Sequence, residues 1–99
     1  MIESAFDNKE ELEKTIKELL DKKLVCSCQV VKSNSQWRWN GELESAKEFL
    51  IFMKTKRTLV NDIYEVIKQI HSYNCFEFAI FPLDSCNNDY LKWIDNETK

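Results

Sequence analysis

The sequence predicts a single α+β domain spanning residues 1–99, ordered β-α-β-β-α-β with an added C-terminal helix and an antiparallel sheet. Three observations predict it. Apolar residues recur at helical spacing in two separate stretches, and they alternate with period two in the segments between and after them. The only glycine stands in an Asn-Gly pair between two long strand-like runs. With 43 % hydrophobic residues, 12 % aromatics, one Gly and one Pro in 99 residues, the chain builds one core and leaves no linker or low-complexity tail.

Met1 to Phe6 is short and weakly patterned, and the topology of the rest requires a first strand there. Asp7 followed by Glu10 resembles a capping box, and Leu12, Ile16, Leu19 and Leu20 then share one helical face, predicting a helix over 8–23. Lys22 and Lys23 meet its negative end. From Leu24 the period becomes two, with Leu24, Cys26, Cys28 and Val30 on one face and Val25, Ser27, Gln29 and Val31 on the other. Ser35 to Trp39 continue this second strand into Asn40-Gly41, where a type I′ turn needs positive φ at both positions.

The third strand returns through Leu43 to Thr55. Phe49, Ile51 and Met53 alternate there with Leu50, Phe52 and Lys54, so both faces are apolar near the middle and the strand is expected to be covered on both sides. Thr58 can cap a second helix over 59–71, with Leu59, Ile63, Val66 and Ile70 as its apolar stripe. Phe76, Phe78 and Ile80 alternate with Glu77, Ala79 and Phe81 until Pro82, predicting the fourth strand. Asn87 or Asn88 caps a last helix whose Tyr90, Leu91, Trp93 and Ile94 dock on the sheet. This is the split βαβ order of ferredoxin-like domains, with both main helices on one sheet face. The other face keeps an apolar load, and the hairpin outreaches the helices, so closed, symmetric self-association is expected.

A net charge of -3, with 14 basic residues scattered along the chain, argues against nucleic acid and anionic membrane surfaces as partners. No apolar run approaches the length of a membrane span, and Met1-Ile2-Glu3-Ser4 lacks the basic and apolar regions of a signal peptide; the expected location is cytoplasmic. The four cysteines then read as thiols. Cys26 and Cys28, two apart in a strand, would have α-carbons about 6.6 Å apart, at the edge of disulfide reach.

His71, Cys75 and Glu77 supply imidazole, thiolate and carboxylate within seven residues, a donor set suited to Cu(II) or another divalent metal once a partner completes it. The structural alternative makes His71 a cation at a helix C-terminus and Cys75 a small buried group. Lys54 and Glu77 either pair across neighbouring strands or, with His71, Tyr73, Tyr90 and Trp93, line an aromatic-walled cleft for a small ligand or anion. Trp37-Arg38-Trp39 puts two indoles on one strand face, a pattern for packing in the hairpin or against another subunit more than for stacking bases. One histidine, no glycine-rich phosphate loop and no Cys-x-x-Cys leave no catalytic constellation, so no enzyme is expected.

Several segments carry a resemblance. Leu24 to Val30 is similar to the Leu-Ala-Ala-Cys-Val-Asn-Ile strand of the CutA divalent-cation-tolerance family, and Ser35-Gln-Trp-Arg-Trp-Asn-Gly41 to its Ser-x-Tyr-x-Trp-x-Gly hairpin. Lys54-Thr55 resembles its Lys-Thr pair, His71-Ser-Tyr73-Asn-Cys-Phe-Glu77 its His-Pro-Tyr-x-x-Pro-Glu signature, and Tyr90-Leu91-Lys-Trp93-Ile94 its closing Tyr-Leu-x-Trp motif. The resemblance implies a ferredoxin-like homotrimer with intertwined strands, a part in tolerance of divalent metals, and copper binding. Ser27 stands where the family has its cysteine, Ser72 and Phe76 replace both prolines of the signature, and Cys86 replaces a usual Gly.

Overall fold

The computed structural model describes residues 1–99. Strand β1 (Ile2–Phe6) leads into helix α1 (Lys9–Asp21), followed by β2 (Ser27–Trp39), β3 (Glu42–Lys54), helix α2 (Val60–Ile70), β4 (Phe78–Ile80) and helix α3 (Asn88–Glu97). The sheet order is β2-β3-β1-β4 with every neighbouring pair antiparallel, so the expected βαββαβ order with a final helix is present. α1 and α2 pack together over one sheet face. Opposed residues in an antiparallel pair point to the same side. Ile2↔Met53 and Ser4↔Ile51 therefore face the helices, with Ile51 and Met53 in a core shared with Phe6, Leu12, Leu19, Ile63 and Ile67. Ala5↔Leu50 and Glu3↔Phe52 occupy the opposite, open face, where Leu50 and Phe52 are half-buried instead of covered.

Several element ends differ from expectation. The cap of α1 is Asn8, whose Oδ1 accepts from the Glu11 N–H at 3.0 Å, so Asp7 is not the capping residue. At its far end Lys23 turns left-handed at φ 56, while the Lys23 N–H donates to the Leu20 carbonyl and the Leu24 N–H to that of Leu19, each at 3.0 Å. This is a Schellman closure, with Leu24 and Leu19 both in the core as its usual hydrophobic contact. The closure consumes Leu24, and with Val25 it is buried before β2 begins at Ser27. Thr58 does not cap α2: it lies inside a 3₁₀ turn, Arg57–Leu59, that starts the helix. The fourth strand shrinks from 76–81 to Phe78–Ile80, and of the apolar residues on α3 only Ile94 is buried.

The β2–β3 ladder runs unbroken from Ser27↔Lys54 to Trp39↔Glu42, whereas β1 covers only Phe49–Met53 of β3. The outer hairpin therefore projects from the body and stretches the molecule to 45 × 26 × 21 Å. Asn40 at φ 49 and Gly41 at φ 81 make the two-residue turn. A Cβ on Gly41 would meet nothing within 4 Å, so glycine is required there for its backbone conformation and not for space.

Candidate functional site

The sheet loses β4 after Ser4↔Phe78 and β1 after Phe6↔Phe49, leaving the two strands of the hairpin, and the loop leaving α2 folds over that step. His71 begins the loop as the cap of α2, its N–H donating to the Ile67 carbonyl at 2.8 Å. Its Nδ1 accepts the Tyr73 N–H at 3.1 Å, so the ring proton sits on Nε2, which donates to the Ala5 carbonyl at 2.6 Å. The ring lies between Phe6, at 4.2 Å and 20°, and Phe76, at 5.2 Å and 13°. Glu11 accepts the Ser72 N–H at 2.8 Å, and the Ser4 hydroxyl donates to the Glu77 carbonyl. Both ends of the segment 71–77 are thus fixed to the body.

Held in this way, the loop and the hairpin enclose a concavity of about 750 Å³. Ala5 and Leu50 form part of its floor; Trp37 and Trp39 stand on the hairpin side, and Tyr73, Asn74, Cys75 and Glu77 on the loop side. Glu48, only 8 % exposed, lines it and accepts from the Tyr73 hydroxyl at 3.1 Å. Burial, then the Glu48 carboxylate, raises the Tyr73 hydroxyl pKa above its ordinary value. Glu77 is pushed up to about 7, first by burial, then by the hydrogen bond and charge of Glu3, and then by Glu48.

Of the six residues expected to line the cleft, only Tyr73 and Glu77 line this concavity. Lys54 lies near the end of β3, where its ammonium donates to Gln29 Oε1 at 2.9 Å. Its expected pairing with Glu77 across neighbouring strands does not occur, because β1 separates β3 from β4. Glu77 meets Glu3 instead. Tyr90 and Trp93 pack against each other on α3, ring centres 5.6 Å apart, and take no part in the lining.

The expected metal set does not fit within one chain. Cys75 and Glu77 both line the concavity, but His71 has committed both ring nitrogens and keeps no lone pair for an ion. No three His, Cys, Asp or Glu side chains converge on a common position. The cationic alternative fails for the same reason, since Nδ1 accepts a hydrogen bond from the Tyr73 N–H. All four cysteines are free. Burial lifts Cys26 and pushes Cys28 up to about 12, which suits packed thiols more than thiolate ligands.

The residues missed in the sequence are Trp37, Trp39 and Glu48 as one lining. The two indoles already shared a strand face in the sequence, whereas Glu48 joins them only through the β2–β3 register, in which Ser33↔Glu48 and Trp37↔Glu44 fall in the same open-face series.

Residues 1–97 match the family described as CutA1 divalent ion tolerance protein. The chain belongs to this family. A divalent-cation tolerance protein CutA from Pyrococcus horikoshii is 31 % identical over 99 residues, covering 100 % of this chain and 97 % of its own length. A crystal structure of CutA1 from the same organism superposes with a TM-score of 0.92 at 31 % identity, covering 99 % of this chain and 96 % of that one. The CutA of Archaeoglobus fulgidus, described as periplasmic, superposes at 0.95 with 28 % identity, over 99 % of this chain and 96 % of the other. No helix of this CutA-family chain is long and apolar enough to cross a membrane.

Proposed function

We propose that the chain is a homotrimeric binding protein serving divalent-cation tolerance, that it carries out no catalysis, and that it works in the cytoplasm. The observation that carries this reading is the projecting hairpin. Trp39 and Leu43, exposed by 52 and 73 %, lie on a segment whose strands pair only with each other. Apolar surface of this kind on a rigid two-stranded arm supports packing between copies, and a closed ring uses each arm once. Four free thiols fit a reducing compartment.

In this reading a divalent ion such as Cu(II) is a transient ligand and not part of the architecture. Cys75 and Glu77 are the donors one subunit offers, and any further donors come from a neighbouring copy.

Light scattering with Cu(II), with Zn(II) and with a chelator tests both parts. The expected mass is three times the 11.8 kDa of one chain, unchanged by chelation. A monomer would defeat the assembly, and a trimer lost on chelation would make the metal structural. Cu(II) titration of His71→Ala should give the wild-type response while the variant stays folded.

A further inference from the structure

We propose that Cys26 and Cys28 form a dithiol that closes reversibly into a disulfide by exchange with a small-molecule disulfide, a redox-sensitive clasp at the start of β2. Cys28 is the second residue of β2, opposite Met53, so its side chain faces the helices and packs against the core. Cys26 stands one residue ahead of the strand, where its N–H donates to the Lys54 carbonyl at 3.0 Å. Residues two apart in extended chain point to the same side, with α-carbons about 6.6 Å apart, inside the roughly 4.4–6.8 Å that a disulfide spans. The two side chains are close enough to interact: after burial, the charge of Cys26 is the next cause that holds the Cys28 thiol up. Cys75 and Cys86 lie on separate loops, one before β4 and one after it. Cys26 also precedes the first ladder pair, Ser27↔Lys54, so closing the bridge moves a residue that a single backbone hydrogen bond holds to β3.

The surroundings give the two thiols different parts. Burial lifts both and pushes Cys28 up to about 12, whereas the Ser27 hydroxyl, a backbone hydrogen bond and the Lys54 charge draw Cys26 back. Cys26 is therefore the attacking group and Cys28 the resolving one. In the first step the Cys26 thiolate attacks one sulfur of the small disulfide, whose S–S bond breaks, and the departing thiolate takes a proton from water. In the second, the Cys28 thiol gives its proton to solvent and attacks the Cys26 sulfur, and the second small thiolate leaves and is protonated. Two electrons pass from the protein to the small disulfide, which ends as two thiols. A reducing compartment runs the exchange backwards, so the free thiols are the resting form. Closure draws Cys26 toward Cys28 and away from Lys54, which carries the redox state to the first pair of the β2–β3 ladder.

Tryptic mapping of the full chain tests the inference, because cleavage after Lys23 and Lys32 releases these two cysteines, and no other, on one peptide. The folded protein is equilibrated in glutathione buffers from reduced to oxidised, and its remaining thiols are blocked with iodoacetamide. Peptide 24–32 should lose two hydrogens as oxidised glutathione comes to dominate, and dithiothreitol should restore both thiols. Cys28→Ala should trap one glutathione on Cys26, while Cys26→Ala should take up glutathione at Cys28 more slowly, on the order of tenfold or more, with circular dichroism showing both variants folded. A parent peptide that keeps both thiols in the oxidised buffer, that closes only after unfolding in urea, or that carries an unresolved glutathione on Cys26 would each overturn the proposal, as would equal uptake by the two variants.

Discussion

At the scale of the residue, His71 shows how one side chain replaces a sequence motif. The Phe6 and Phe76 rings on either side of it, and the two hydrogen bonds to Ala5 and Tyr73, fix a loop that has no proline to stiffen it. His71→Ala should therefore destabilise the fold by about 2–4 kcal/mol in urea unfolding, while a surface-histidine role would leave the midpoint unchanged. Glu77 predicts a pH dependence. Its folded pKa, about 7, lies above the ordinary 4.5, so the folded state binds the proton more tightly than the unfolded state. Its contribution is complete below pH ~4.5 and is lost as the pH rises through ~7. Thermal midpoints should fall across that window, and Glu77→Gln should flatten the fall. Cys75 and Glu77 were legible as neighbours because they are close in sequence, whereas His71 stays outside the lining they share and Glu48 was not legible, since its environment depends on which strands are neighbours. The same blindness produced the expected Lys54–Glu77 pair, which required β3 and β4 to touch.

At the scale of the element, local chemistry set most of the outcome. The Asn40-Gly41 turn fixed the register of all thirteen pairs from Ser27↔Lys54 to Trp39↔Glu42, and the period-two alternation identified both strands. What the pattern could not convey was where a strand stops. Leu24 and Val25 look like strand residues because both are apolar, but the Schellman closure buries them as a bridge from α1. Lys23 carries the cost of that closure, a side chain held at φ 56 where glycine is favoured. Lys23→Gly should raise stability by about 0.5–1 kcal/mol in denaturant titration, because at the left-handed position that closes a helix the relief of strain outweighs the added freedom of the unfolded chain. Thr58 illustrates the opposite limit: a good capping residue was present, yet the chain entered α2 through a 3₁₀ turn and left the hydroxyl without that role.

At the scale of the whole molecule, the fold class followed from element order alone, because the split βαβ order with one helix on each crossover leaves few ways to close a four-stranded sheet. The proposed trimer acts through the projecting arm. Backbone amides of residues 34–46 should exchange quickly in an isolated chain, where only their own ladder protects them, and slowly in the trimer. Hydrogen-exchange mass spectrometry above and below the dissociation concentration measures this, and identical protection in both states would remove the arm from the interface.

The sheet order also governs how the chain reaches its structure during synthesis. β1 is a central strand, yet one of its neighbours, β3, ends at residue 54 and the other, β4, begins at residue 78, with the Phe81 N–H donating to the Met1 carbonyl at 2.7 Å. The hairpin can form as soon as it leaves the ribosome, being a local contact. β1 must instead wait, its open edge unpaired, until residues 78–80 have emerged. Slowing translation before residue 78 should therefore prolong a state with the arm complete and the sheet unfinished, and aggregation at that stage should begin along the exposed edge of β1.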